Sequence, residues 1–319
     1  MKYIRKYVFL LVGVLLLQSC VKDMQDDINN GGWNHERSVI EIEFENQIGV
    51  AMIENTDATT GNIDLAINVG AQSNMSSVKL TAIQVSYQAQ SSVKVGDALD
   101  LSNGKASFTV TSTLGETRTY TINVSEFTET LTGTYQVNAL TIFGGTGPEY
   151  GGGAIMQLAD KPWCWSDTYG PEVECDNTLT FTMTGVTPDG STTGTCINHA
   201  GADGKYADFI FNGSMNKEES GVDIDLKKFY RQIPEGESTW IRNYSDGTVS
   251  FIDKDGKTTI GKFVDAGTVD VGYDKSFTVS NQAFQFSLNG TDDWTNIYSD
   301  YDKFAKKPRI LWVSVTKVN

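Results

Sequence analysis

Val39-Ile40-Glu41-Ile42-Glu43-Phe44-Glu45 sets Ile40, Ile42 and Phe44 against Val39, Glu41, Glu43 and Glu45, an alternation of period two. Successive side chains point to opposite faces only in a β-strand, so the stretch predicts a strand with one buried face. The same beat returns in Ile63, Leu65, Ile67 and Val69, and begins again at Val78, Leu80 and Ala82. Val93 and Val95 run into Gly96-Asp97, and Leu99 and Leu101 into Asn103-Gly104, both favourable turn pairs. Phe108 and Val110 follow, Leu114-Gly115-Glu116 turns the chain, and Tyr120, Ile122 and Val124 complete the series. About seven short strands with no helical period predict a β-sandwich over residues 36–127.

Beyond it the chain stays all-β. Ser125 to Thr132 is rich in Thr, Ser and Glu, and residues 128–132 read as a linker. Tyr135, Val137 and Ala139 open a second series. Leu179, Phe181 and Met183 continue it, as do Ala207, Phe209 and Phe211, then Val222, Ile224 and Leu226. Asp253-Lys254-Asp255-Gly256 reads as a hairpin turn, Phe277, Val279, Phe284 and Phe286 give further strands, and Ile310 to Val315 gives the last. Asp300 to Lys306 hints at a helical turn. About nine strands predict a larger β-sandwich of jelly-roll type over 133–319, with a closed barrel as the alternative. The glycines at 144–153 lack the Gly-Lys-Ser/Thr of a phosphate loop, so a glycine-rich hairpin or mobile binding loop is expected there.

Upstream, Lys2, Arg5 and Lys6 precede an apolar run from Tyr7 to Leu17, then Gln18-Ser19-Cys20. Eleven apolar residues are too few to span a bilayer, which needs roughly 18 or more, so residues 1–19 are expected to be a cleaved signal. Leu17 to Cys20 resembles the lipobox of bacterial lipoproteins. That resemblance implies lipidation of Cys20 and a protein held to a membrane outside the cytoplasm. Residues 20–35, with Asp23, Asp26 and Asp27 early and Gly31-Gly32 later, read as a flexible tether. Their early acids resemble the surface-export signal of Bacteroidetes lipoproteins, which implies the outer face of the outer membrane; the periplasm-facing leaflet is the alternative. Val93 to Gly96, Leu101 to Gly104, Phe108 to Thr111 and Thr119 to Val124 resemble the immunoglobulin-like domain of many such lipoproteins, commonly a spacer behind the anchor.

The chain of 319 residues carries a net charge of −15, or −18 once Lys2, Arg5 and Lys6 leave with the signal. This disfavours polyanions such as nucleic acid and does not bear on neutral sugars. Trp163-Cys164-Trp165-Ser166-Asp167-Thr168-Tyr169, with Tyr150 upstream, is the densest aromatic cluster. Flat rings stack on the apolar faces of sugars while Asp167 reaches hydroxyls, at about 1 kcal/mol per ring; the plainer reading is that Trp163 or Trp165 plugs one end of a sandwich. Trp294, Tyr298 and Tyr301 form a candidate second wall. Trp240 is a further candidate, though its strand context suits a core residue. Cys164 with Cys175 would close a short stiffening disulfide, and Cys175 with Cys196 is the rival pairing.

Asp223 with Asp225, and Glu235 with Glu237, read as solvated surface and not as a facing catalytic pair. No cofactor is expected, although a single structural calcium held by Asp and backbone oxygens stays open. Taken together, the chain resembles the accessory glycan-binding lipoproteins that accompany outer-membrane sugar importers in Bacteroidetes. The resemblance implies glycan or polysaccharide as the partner, capture without bond cleavage, and a transporter nearby. A structural or adhesive lipoprotein, or a carbohydrate-active enzyme, are the alternatives.

Overall fold

The computed structural model describes residues 33–72, 74–166 and 169–318. The signal, Cys20, most of the tether and Asp167 lie outside the described residues. The chain divides into two compact units, ending and beginning at Phe127 and Thr128.

The first unit contains β1 (Val39–Phe44), β2 (Gln47–Glu54), β3 (Thr60–Asn68), β4 (Val78–Val85), β5 (Gln90–Ser91), β6 (Ala98–Leu99), β7 (Lys105–Thr111) and β8 (Thr117–Phe127). They form a three-stranded sheet, β1-β4-β6, and a curled five-stranded sheet, β2-β3-β8-β7-β5. β3 and β8 pair in parallel. Ile42, Phe44, Ile63, Ile67, Leu80, Phe108, Tyr120 and Ile122, drawn from both sheets, meet in one core. In β1 the alternation slips: Val39, Ile42 and Phe44 are buried, while Ile40 faces solvent. A register shift between Val39 and Glu41 against β4 is the cause, since one extra residue moves a side chain to the other face.

The second unit contains β9 (Gly133–Gly144), β10 (Ala154–Gln157), β11 (Thr178–Val186), β12 (Thr192–His199), β13 (Ile210–Phe211), β14 (Ile224–Asp225), β15 (Gly236–Asn243), β16 (Thr248–Ile252), β17 (Thr258–Gly272), β18 (Lys275–Ser287) and β19 (Pro308–Val318). β9, β11, β12, β15, β16, β17, β18 and β19 pair in that order, each antiparallel to the next. β19 then returns to β9, from Pro308 opposite Gly144 to Val318 opposite Thr134. The unit is thus an eight-stranded closed barrel of up-and-down order, and the jelly-roll sandwich is corrected to the alternative. A jelly roll needs strands that cross between two sheets; here chain neighbours are sheet neighbours and the last strand meets the first.

An eight-stranded barrel is just wide enough for side chains to fill. Tyr135, Phe181, Trp240, Phe251, Phe284 and Phe286 do so, with Phe181 stacked on Phe284 at 5.4 Å. A ligand of sugar size is therefore left to the outside of this barrel. Residues 128–132 fall within the second unit. Leu131 is fully buried, and the Glu129 carboxylate accepts from Leu131 N (2.7 Å), Thr192 Oγ1 (2.5 Å), Tyr244 Oη (2.7 Å) and Arg242 Nη1 (2.8 Å).

The end where β9 finishes and β19 begins is closed by irregular segments. Residues 207–211 and 222–226, expected as strands, contribute only the two-residue pair β13–β14 and then a helical turn, Lys227–Tyr230. Phe209 and Phe211 cap the barrel instead, packed there with Trp165, Tyr230 and Phe304. The helical turn expected at 300–306 is a single π-turn, Asp302–Lys306.

Candidate functional site

Two loops at this barrel end build the site, residues 144–153 between β9 and β10 and residues 288–301 after β18. The first is tightly folded. Pro148–Tyr150 is a 3₁₀ turn flanked by Gly147 and Gly151 with φ of 58° and 84°. Gly152 N donates to Gly147 O (3.0 Å), and Gly145 N to Lys307 O (2.8 Å). A Cβ at Gly152 would lie 1.8 Å from Thr146 O, and one at Gly145 2.2 Å from Gly152 O. These glycines let backbone approach backbone in the loop of the β9–β10 hairpin, the first of the two expectations for this stretch.

A buried polar lock joins the two loops. Asp302, fully buried, accepts from Thr146 N on one carboxylate oxygen and from Thr146 Oγ1 on the other, each at 2.7 Å. Thr146 Oγ1 in turn accepts from Asp293 N at 2.7 Å. Asp293 then caps its own loop, accepting from the backbone of Thr295 and Asn296 at 3.1 Å and from Asn296 Nδ2 at 2.7 Å. Charge-assisted bonds of this kind are roughly twice as strong as neutral ones, and they fix where the loops stand.

On this frame sit three exposed rings. Tyr150 is 67% exposed, and Trp294 and Tyr298 are each 58% exposed. Tyr150 and Trp294 meet edge to face at 6.0 Å. The indole lies over Gly147, where an added Cβ would come within 2.9 Å of it. Tyr298 Oη donates to Tyr150 O at 3.1 Å, and Lys303 Nζ donates to Tyr298 O at 2.5 Å. Tyr298 holds a left-handed backbone, φ 77°, which a non-glycine residue adopts only at a cost in energy.

Trp163 lies nearby, 54% exposed. Its ring carries Lys161 Nζ at 5.1 Å from the centroid, and that ammonium pairs with Asp300 Oδ2 at 3.4 Å. Burial, followed by repulsion from Lys161, brings the Lys303 amine below its ordinary range.

Of the residues predicted from sequence, Tyr150, Trp163, Trp294 and Tyr298 are displayed, and three others are not. Trp165 is corrected to a core residue, 2% exposed: its Nε1 donates to Leu158 O at 2.9 Å and its ring packs on Phe211, Tyr230 and Phe304. Trp240 is sealed inside the barrel against Phe181. Tyr301 is buried too, and burial, then the neighbouring Glu218 carboxylate, raises its hydroxyl above the usual range. Tyr169 is half-buried with Lys205 Nζ over its ring at 4.7 Å, and Asp167 lies outside the described residues.

The expected Cys164–Cys175 disulfide is not formed, nor is its rival; Cys164, Cys175 and Cys196 are free thiols. Cys164 is buried and donates to Asp300 at 3.9 Å; burial, then the Asp300 charge, pushes its thiol up to about 12. Among the described residues no three His, Cys, Asp or Glu side chains converge as a metal site. Asp253 serves the β16–β17 hairpin, its Oδ1 accepting from Asp255 N and Lys257 N at 2.9 Å.

Thr146, Asp293 and Asp302, which hold the rings, went unread because nothing in their local sequence marks them. They are joined over a separation of about 150 residues, and only folding makes them neighbours. Lys161 and Asp300 were likewise invisible as a pair.

No family model matches the chain, and no curated protein matches it. Among solved structures, similarity extends to a provisionally described secreted protein of Bacteroides fragilis (12% identity, 30% of this chain and 98% of that one, TM-score 0.22). It extends also to a provisionally described glycoside hydrolase of Bacteroides thetaiotaomicron (10% identity, 89% and 97% covered, TM-score 0.24). A third is a Bacteroides ovatus protein of unknown function (9% identity, 74% and 69% covered, TM-score 0.16). Likenesses this slight carry no argument about what this chain does.

Proposed function

We propose that this chain is a surface lipoprotein that captures glycan without cleaving it, using Tyr150, Trp294 and Tyr298 as a stacking platform. The observation that carries the reading is three large rings left in water on loops that a buried carboxylate lock holds rigid. Exposing such rings is costly unless a ligand covers them, and rigid rings lose little entropy when it does. Each ring contributes about 1 kcal/mol to a stacked sugar, so capture at modest affinity is the expected regime. In this reading Cys20 carries the lipid and the first unit, with its immunoglobulin-like sequence, is the spacer. The barrel presents its platform to polysaccharide beside an outer-membrane importer.

The test is a glycan array probed with the full chain and with its Trp294→Ala and Tyr150→Ala variants. The expected result is binding to at least one glycan class, lost or strongly reduced in both variants while their thermal unfolding is unchanged. Binding that both variants retain in full would remove the platform from the proposal.

A further inference from the structure

Building on the glycan reading, we infer that the ligand is a neutral oligosaccharide gripped at two ring stations. The first is Tyr150–Trp294–Tyr298; the second is Trp163, with Lys161, Asp300 and Lys303 as a polar bridge between them. The two stations are physically continuous. Asp300 stands two residues after Tyr298 in the chain and pairs at 3.4 Å with Lys161, whose ammonium sits 5.1 Å from the Trp163 ring centroid. From the other side Lys303 reaches back to Tyr298 O at 2.5 Å.

The bridge has the chemistry of hydroxyl recognition. A carboxylate accepts from one sugar hydroxyl while a neighbouring ammonium donates to the next, and hydroxyls can play either part. Lys161 and Asp300 are both largely but not fully buried, with side chains 30% and 17% exposed, so their free edges face solvent from a fixed position. The charge balance selects against acidic sugars. Lys161 is paired with Asp300, and Lys303 Nζ is engaged by Tyr298 O, so neither ammonium stands alone for an anionic substituent. A chain of net charge −15 repels polyanions besides.

Two stations linked through Asp300 and Lys161 reward a ligand long enough to reach both, because the second contact forms at high effective concentration. A single sugar or a disaccharide engages one of them. Trp163 is thus a length-selecting residue, and the platform rings are the anchor.

The experiment is calorimetric titration of the full chain with ladders of neutral gluco-, xylo-, manno- and galacto-oligosaccharides, from one sugar to about eight, beside uronate-containing and sulfated chains. The expected result is affinity rising by about tenfold or more from disaccharide to the longest neutral chain that binds. Trp163→Ala should lower the affinity for the long chain about fivefold and that for the disaccharide by a smaller factor, whereas Trp294→Ala should lower both by a similar factor. Glycan binding with no length dependence, an unchanged long-chain affinity in Trp163→Ala, or a preference for acidic chains would overturn the two-station inference and leave the capture reading standing. Failure of the wild-type chain to bind any glycan would sink both.

Discussion

Trp163 and Trp165 stand two positions apart and meet opposite fates. Trp165 forms a bridge with Phe211 and is wedged among three rings, with its indole N–H satisfied by Leu158 O. Trp163 sits in the 3₁₀ turn Pro162–Cys164 and looks outward. Their stabilities should part accordingly. Trp165→Ala is expected to cost about 4 kcal/mol through the cavity it leaves, and Trp163→Ala no more than about 0.5 kcal/mol; urea denaturation of the two variants measures both. Equal costs would mean that Trp163 is also a packing residue. The segment's composition marks it as aromatic and turn-rich, but not which indole turns inward. That choice was made by Phe211, Tyr230 and Phe304, none of which is close to it in sequence.

Among the elements, the loop pair and residues 128–132 before β9 show how single buried acids position whole stretches of chain. Asp302→Ala strips the partner from the buried Thr146 N–H and hydroxyl and should cost about 3 kcal/mol. Faster hydrogen exchange confined to residues 145–152 and 291–299 is the sign that it acts as a loop lock. Glu129 does the same for residues 128–132. Burial by itself would raise its pKa, but bonds from Thr192, Tyr244 and Leu131 N and the charge of Arg242 prevail and hold it below the usual carboxylate range. A carboxylate depressed in the folded state contributes stability above its unfolded pKa and loses it as pH falls through the folded one. Stability should therefore decline below about pH 4.5, and Glu129→Gln, costing about 3 kcal/mol at neutral pH, should flatten that decline. Denaturation midpoints at pH 7 and in the acid range test this; an acid slope identical in the variant would remove Glu129 from it.

Most strands were legible because period-two alternation is local; β12 was not. Its inward face is Thr192, Gly194, Cys196 and Asn198, small or polar residues that leave room for the large rings of neighbouring strands, so it shows no hydrophobic beat. Conversely, Ala207, Phe209 and Phe211 alternate without forming much strand, since Phe209 has a left-handed backbone and serves the cap.

For the molecule as a whole, the decisive contact is the seam between the first and last strands of the barrel. Leu311, fully buried, stands opposite Ile142 across the seam and opposite Phe286 on its other side. Leu311→Pro removes a ladder hydrogen bond and a core side chain together, and proline is not tolerated in the middle of a sheet. Calorimetry of this variant should lose the transition of residues 128–319 and keep that of the first unit, because each unit has its own core. Loss of both transitions would show that the first unit depends on the barrel. By itself the sequence determined that the chain is all-β, that it falls into two parts, and that aromatic rings gather in polar loops. Alternation and turn chemistry are written within a few residues of one another. The tertiary structure alone decided that the second part closes into a barrel and that Tyr150 shares a surface with Trp294 and Tyr298. It also decided which rings fill the interior. An alternating strand specifies which side is buried and leaves open which strand it will pair with, and that partner lies as far away as β19 is from β9.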